Sequence, residues 1–308
     1  MNPNGGTELQ NSFLHKYVKK DLLDSVEICL SVPEKKLLSK DKVNILWQKN
    51  APNQPNIKPW FMDKQNHTKY DWYVFNSHWN YEQYRKAFNI PTERCHVIKN
   101  GITSFPKHKP FNKGDRLRII HHNTPWRGLN VLLGAMQYLE DENIELDVYS
   151  SCEVYGDKFK KANDHNYEVL YDQARKLKNV NYIGYRPNNF ILDKLPYYNL
   201  YVYPSIWEET SCISLLESMA AGLYCVVTNY GAVYETGSEF PIYINYETNY
   251  KNLSYQFAEA IKVARDTLHE PMINEHLLMQ QNFVKRFYSW EKKAFEWNNF
   301  LTGVLNAK

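Results

Sequence analysis

Short apolar runs alternate with stretches of helical spacing along the whole 308-residue chain. That alternation predicts parallel sheets covered by helices. In the first third, Val26–Ser31, Val43–Trp47, Trp72–Asn76 and His96–Lys99 read as buried strands. Between them, Thr7–Lys19 and Trp79–Phe88 carry helical spacing, with Leu9, Phe13 and Tyr17 at four-residue steps that bring them onto one helix face. Two prolines, a glycine and several charges then crowd into Phe105–Asp115, as they do at domain boundaries. Beyond it the alternation restarts. Strands Arg118–His122, Glu145–Ser150, Asn181–Tyr185, Leu200–Pro204 and Leu223–Thr228 are separated by helices Leu129–Tyr138, Tyr167–Leu177, Phe190–Leu195 and Ile213–Ala221. A short strand Ile242–Asn245, helices Asn252–Leu268 and Glu275–Phe287, and a last amphipathic helix over Ser289–Leu305 complete the pattern. It predicts an α/β chain of two Rossmann-like, doubly wound domains, residues 1–110 and 111–287, followed by a terminal helix over 288–308. Ligands of such sheets bind at the carboxyl ends of the strands, so the loops after strands are where chemistry is to be sought.

Charge and cysteine usage narrow the class. Lys+Arg 37 against Asp+Glu 34 gives +3, too small a surplus for a nucleic-acid partner. Cys29, Cys95, Cys152, Cys212 and Cys225 are odd in number and form no CxxC pair, which disfavours a disulfide framework and a zinc site and fits a reducing cytoplasm. Met1–Gly6 lacks a basic-then-apolar signal pattern, and no run approaches the ~20 apolar residues of a membrane span. The basic stretch His15–Lys20 leaves at most peripheral contact at the inner face of a membrane, with a solvated helix end as its simpler reading. Aromatics reach 15%, enough for a Tyr-rich core and for stacking surfaces besides.

Several chemistries are excluded by motif. The dinucleotide fingerprint GxGxxG, the phosphate loop GxxxxGK[ST], HExxH and GxSxG are all missing. His121 and His122 are neighbours on one strand, point to opposite faces and cannot readily share a metal, so no metal is expected. The richest segment is Tyr201–Gly222, YVYPSIWEETSCISLLESMAAG: a strand, a turn, an acidic loop and a helix starting near Cys212 or Ile213, which Thr210 or Ser211 could cap. Free amides at such a helix start suit a phosphate or diphosphate. Glu209 precedes the helix and Glu217 lies one turn inside it, on the face of Ile213. One carboxylate near a leaving diphosphate and another suited to sugar or ribose hydroxyls make a plausible nucleotide-sugar arrangement. Two ordinary helix-proximal acids are the bland alternative.

Glu209 and Glu217 form an E-x7-E pair, and the segment resembles the signature of retaining glycosyltransferases of family 4, which have the GT-B fold. GGTE at Gly5–Glu8, NSHWN at Asn76–Asn80, NGI at Asn100–Ile102, PWRGL at Pro125–Leu129 and YSWEKKAFEW at Tyr288–Trp297 follow in the family's order, so the resemblance covers nearly the whole chain. It implies two domains facing across a cleft, with the terminal helix crossing back to the N-terminal, acceptor-side domain. It places Gly5, Gly6, Arg127 and Gly128 on the donor diphosphate together with the first turn at Ser211, Cys212, Ile213, Ser214 and Leu215. Gly184–Pro187, with Tyr185 and Arg186, stands where the family holds the base; Glu217 takes the ribose, and Glu209 addresses the transferred sugar. Lys49, Asn50, Ser77, His78 and Asn100 are candidate sugar or acceptor contacts, Lys49 standing near where the family often has a histidine. The family's second basic residue, upstream of Arg127, has no match, since His122, Asn123 and Thr124 occupy that stretch. GGTE begins at residue 5 without the family's preceding strand, so the N-terminal sheet is expected to be abbreviated.

The implied activity is transfer of a sugar, with retention and without a metal or other cofactor, from a nucleotide-diphosphate sugar to a glycan, lipid-linked or protein-linked hydroxyl. A GT-B epimerase or phosphorylase is the competing enzyme, and a catalytically degenerate donor-binding protein the competing non-enzyme.

Overall fold

The structure, a computed structural model, describes residues 5–34, 38–140 and 143–307. Along the chain come α1 (Gly6–Tyr17), α2 (Lys20–Asp24), β1 (Val26–Leu30), β2 (Val43–Gln48), α3 (Lys58–Met62), β3 (Trp72–Phe75), α4 (His78–Phe88) and β4 (Cys95–Val97). Next are β5 (Leu117–His121), α5 (Leu129–Gln137), β6 (Ile144–Val148), α6 (Asp157–Asn163), α7 (Glu168–Lys176), β7 (Val180–Tyr182), α8 (Asn188–Lys194) and β8 (Leu200–Tyr203). They are followed by α9 (Ile213–Ala220), β9 (Tyr224–Asn229), α10 (Val233–Gly237), β10 (Ile242–Asn245), α11 (Tyr250–Thr267), α12 (Pro271–Tyr288) and α13 (Trp290–Asn306). Every strand foreseen from the sequence is present within one to three residues at either end. The helices not foreseen, α2, α3, α6 and α10, have five to seven residues. Two turns or fewer carry little of a 3.6 period, and of the helices that short only α8 was foreseen, as Phe190–Leu195.

The chain divides into two compact bodies. The first comprises Gly6–Thr103, the three residues Glu209–Ser211, and the chain from Phe287 on. Its sheet has the order β1-β2-β3-β4, all parallel. β2 is buried at all six positions, the mark of a strand covered on both faces. Its side chains alternate between two cores. Ile45 and Trp47 pack with Leu14, Trp290, Trp297 and Leu301, while Leu46 packs with Phe61, Tyr73, Phe75 and Tyr84 on the other side. Helix α13 belongs to this body: Trp297 stands edge-on to Trp47 with centroids 4.9 Å apart, and Tyr17 stacks on Trp290.

The second body comprises Gly5, Ser104–Glu208 and Cys212–Arg286. Its six strands run in the order β10-β9-β8-β5-β6-β7, again all parallel. Helix α5 is almost wholly apolar and six of its nine residues are buried, which drives it against α11 through Leu253, Phe257, Ala258 and Ile261. With all strands parallel, the loops after β8, β5, β6 and β7 emerge at one edge.

Candidate functional site

In the second body, β5 runs into His122–Thr124 and a single turn, Pro125–Arg127, before Gly128 opens α5. Gly128 has φ +113°, and a Cβ there would lie 2.0 Å from the Pro204 carbonyl oxygen. Only glycine lets the loops after β5 and β8 meet this closely. Arg127, half-buried, holds its guanidinium 5.7 Å from the ring centre of Trp207 in that second loop. Hydrogen bonds complete the attachment to α9: Asn123 Nδ2 donates to Ser214 Oγ at 2.8 Å, and the Tyr201 hydroxyl donates to Asn123 Oδ1 at 2.8 Å. His122 Nε2 lies 3.2 Å from Ser218 Oγ, and burial, with a minor contribution from His121, pushes its pKa down to about 3. It is therefore neutral near pH 7 and adds no positive charge where the resemblance expected a second base. His121 turns the other way, with Nδ1 3.1 Å from the Val202 carbonyl, as alternation along a strand requires.

Helix α9 starts at Ile213 with Cys212 as its N-cap, and no side chain there accepts a hydrogen bond from the first turn. Capping by Thr210 or Ser211, open on sequence grounds, is corrected: both belong to the first body, where their hydroxyls have other partners. Cys212 is buried, its Sγ 3.3 Å from Ser214 Oγ. One turn on, Glu217 is 5% exposed, and its Oε1 accepts from Asn188 Nδ2 at 2.9 Å. Burial raises this carboxyl from 4.5 to about 7, against the lowering effect of the Asn188 bond. Asn188 is the first residue of α8, directly after Gly184–Pro187, so Glu217 is tied to the loop singled out for a base. There Tyr185 is half-buried, Gly184 has φ +75°, and Arg186 is exposed, its guanidinium bonding the Tyr185 carbonyl and standing 5.9 Å from the Phe190 ring centre. The second body thus presents amides without a side-chain cap and a proton-holding carboxyl on α9, and a guanidinium on the loop after β5, with Asn188 tying that carboxyl to the loop after β7. Such a set suits an anion beside a diol.

In the first body, Glu209 is 3% exposed and Lys49 7%. Lys49 Nζ donates to Asn100 Oδ1 at 2.7 Å and lies 3.7 Å from the Trp47 ring centre, and burial holds its pKa well below the ordinary lysine value. Asn100 Nδ2 donates to Ser211 Oγ at 3.0 Å, Thr210 Oγ1 donates to the Lys49 carbonyl at 2.7 Å, and Asn76 Nδ2 donates to Thr210 Oγ1 at 3.1 Å. The E-x7-E pair is therefore divided, with Glu209 in the first body and Glu217 in the second. Gln10, wholly buried, meets both backbone groups of Gly101, which fixes the turn next to Asn100. Asn50 donates through its backbone to Gln48 Oε1; Ser77 caps α4 by accepting from the Asn80 amide at 2.9 Å; and His78, the first residue of α4, is exposed. Gly5 is buried and falls in the second body, while Gly6 opens α1. Asn76, Asn123, Tyr201 and Asn188 were not singled out from the sequence as site residues, and Thr210 was singled out only as a helix cap. Asn76 and Thr210 did lie inside the motifs that carried the resemblance.

A family model described as glycosyl transferases group 1 matches residues 102–262, just over half of the chain. The chain belongs to this family. No curated protein matches it. Solved structures that it resembles share its fold at low identity. A glycosyltransferase from Rickettsia africae ESF-5 superposes with TM-score 0.69 at 13% identity, covering 100% of this chain and 85% of that one. An Anabaena protein, Alr3699/HepE, in complex with UDP-glucose gives TM-score 0.64 at 14% identity over 94% of this chain and 81% of that one. The pneumococcal O-GlcNAc transferase GtfA, in complex with UDP and GlcNAc, gives 0.66 at 12% identity over 98% of this chain. This glycosyltransferase group 1 chain spans about 60% of that pneumococcal protein's length. The fold is thus GT-B. Among the described residues no helix is long and apolar enough to cross a membrane.

Proposed function

We propose that the chain is a retaining glycosyltransferase of the family 4 type. It takes a sugar from a nucleotide-diphosphate sugar and moves it to a hydroxyl of a glycan, or of a lipid-linked or protein-linked acceptor, without a metal ion. The observation that carries this reading is the edge of the second body, where α9 offers first-turn amides without a side-chain cap, Arg127 sits on the adjoining loop, and buried Glu217 is tied through Asn188 to the Gly184–Pro187 loop. UDP and UDP-glucose are held by two of the structural neighbours, which supports a uridine diphosphate sugar as the first donor to test.

Each group then has a task set by its chemistry. The amides of Cys212–Leu215 and the Arg127 guanidinium hold the diphosphate and stabilise the charge that grows on it as the glycosidic bond breaks. Fixed positive groups take the place of a cation. Glu217, once it has lost its proton, accepts from the ribose hydroxyls. Glu209 addresses the sugar being transferred, as the resemblance implies. The acceptor hydroxyl attacks from the face that the diphosphate leaves, its proton passes to a departing phosphate oxygen, and the α-configuration of the donor is kept. No side-chain nucleophile takes part.

The test is thermal stabilisation of the protein by UDP, GDP and ADP and their sugars in a chelating buffer, followed by analysis of the anomer formed with a hydroxyl acceptor. A ligand that binds only the folded state must raise its apparent stability. A shift with one nucleotide and an α-product support the reading; a β-product or strict dependence on added metal refutes the mechanism, and no shift with any nucleotide refutes the donor site.

A further inference from the structure

The run Glu209–Ser211 belongs to the first body, although its neighbours in sequence on both sides, Glu208 and Cys212, belong to the second. It lies in no helix or strand. Side chains and backbone from the loops after β2, β3 and β4 hold it instead. Those strands are adjacent and parallel, so the loops emerge side by side. Thr210 Oγ1 donates to the Lys49 carbonyl at 2.7 Å and accepts from Asn76 Nδ2 at 3.1 Å, and Ser211 Oγ accepts from Asn100 Nδ2 at 3.0 Å.

Lys49 is the member of this network that the reaction outlined above does not use. Its amine is buried, with Asn100 Oδ1 at 2.7 Å and the Trp47 ring centre at 3.7 Å. Burying an amine that can carry charge is costly, and a methionine would fill the same space without that penalty. What the amine adds is a direction. A carboxamide can turn either its oxygen or its nitrogen toward a hydroxyl, and a donor held at Oδ1 leaves Nδ2 to face Ser211. The backbone beside Asn100 cannot shift to compensate, because buried Gln10 bonds both the amide and the carbonyl of Gly101. Lys49 therefore holds both residues that follow Glu209: Thr210 through its own carbonyl, and Ser211 through Asn100.

We propose that Lys49, acting through Asn100, Thr210 and Ser211, is a positioning residue for Glu209 and not itself a contact of sugar or acceptor. The task of Glu209 rests on the function proposed above; the strut that holds its segment does not. Lys49→Met keeps the side-chain stem and removes the amine, and Thr210→Val keeps the shape and removes the hydroxyl. In each variant, hydrogen exchange of the peptide 205–212, read by mass spectrometry on the whole protein, is expected to quicken at least about fivefold while nucleotide stabilisation stays as in the parent. With the donor that the nucleotide series identifies, kcat is expected to fall at least about tenfold and the donor KM to stay within about twofold. Thr210→Ser, which restores the hydroxyl, is expected to recover most of what Thr210→Val loses. Lys49→Met is also made in the Glu209→Ala protein. A residue that acts through Glu209 has nothing left to position there and lowers transfer no further, whereas a sugar contact adds its own full loss. Unchanged exchange in both variants, a raised KM with kcat kept, or a Lys49 loss that adds in full to that of Glu209→Ala would each overturn the proposal. The exchange measurement needs no substrate, so the two readings stay apart. A parent that transfers no sugar from any donor defeats the function proposed above, and exchange then decides the strut by itself.

Discussion

The buried carboxyl of Glu217 yields a quantitative expectation. In the unfolded chain it titrates near the ordinary 4.5, whereas in the fold burial holds its proton until about pH 7. Below pH 4.5 both states are protonated and the group is neutral toward stability. Between 4.5 and 7 the unfolded state alone ionises, and the native state progressively loses stability. Above 7 the loss is complete. A separation of roughly 2.5 units at 1.36 kcal/mol each comes to about 3 kcal/mol. Glu217→Gln removes the charge and retains an oxygen for Asn188 Nδ2, so it isolates this effect. The variant is expected to match the parent near pH 4.5 and to be more stable by about 3 kcal/mol at pH 8, read from urea unfolding of the two proteins at each pH. If the bound ribose needs the carboxylate, UDP affinity of the parent will also fall about tenfold from pH 8 to pH 6, beyond the change seen in the variant. Stability curves of parent and variant that run parallel from pH 4.5 to 8 would refute the reasoning, because a carboxyl with equal pKa in both states cannot produce linkage.

Other expectations follow from single contacts. Gly128→Ala places a methyl group 2.0 Å from the Pro204 carbonyl at φ +113°; a loss of about 3 kcal/mol and of UDP stabilisation is expected, and an alanine variant with unchanged melting would show that the two loops do not need this approach. Glu209→Ala is expected to lower transfer at least about 100-fold while nucleotide binding persists, measured by product formation beside thermal shift. Unchanged turnover removes Glu209 from the mechanism. Gln10→Ala strands the buried amide and carbonyl of Gly101 and is expected to cost about 2–3 kcal/mol in urea unfolding, with a second readout in faster hydrogen exchange around Asn100.

Strands such as Val43–Gln48 and Leu200–Tyr203 were legible because a strand buried on both faces must be apolar at successive positions, a property written locally. The longer helices were legible through their period. Helix α3 was not, since five residues hold too few turns to show one. Likewise Glu209, Glu217, Arg127 and the glycines could be singled out from motifs, because residue type and spacing are sequence properties.

What the order of amino acids determined by itself is therefore the two runs of alternating strand and helix and the chemical groups carried on the loops after the strands. What only the tertiary structure decided is their company. Glu209–Ser211 joins the first body through Lys49, Asn76 and Asn100, partners 161, 134 and 111 residues away along the chain, although Glu217, eight residues on from Glu209, belongs to the second. Likewise the carboxyl of Glu217 holds its proton to about pH 7 only because the folded chain strips it of water, and Tyr230 meets Tyr246 only because β9 and β10 are neighbours. Local propensity acts over a few residues, whereas burial and long-range hydrogen bonds exist only after loops of more than a hundred residues have closed.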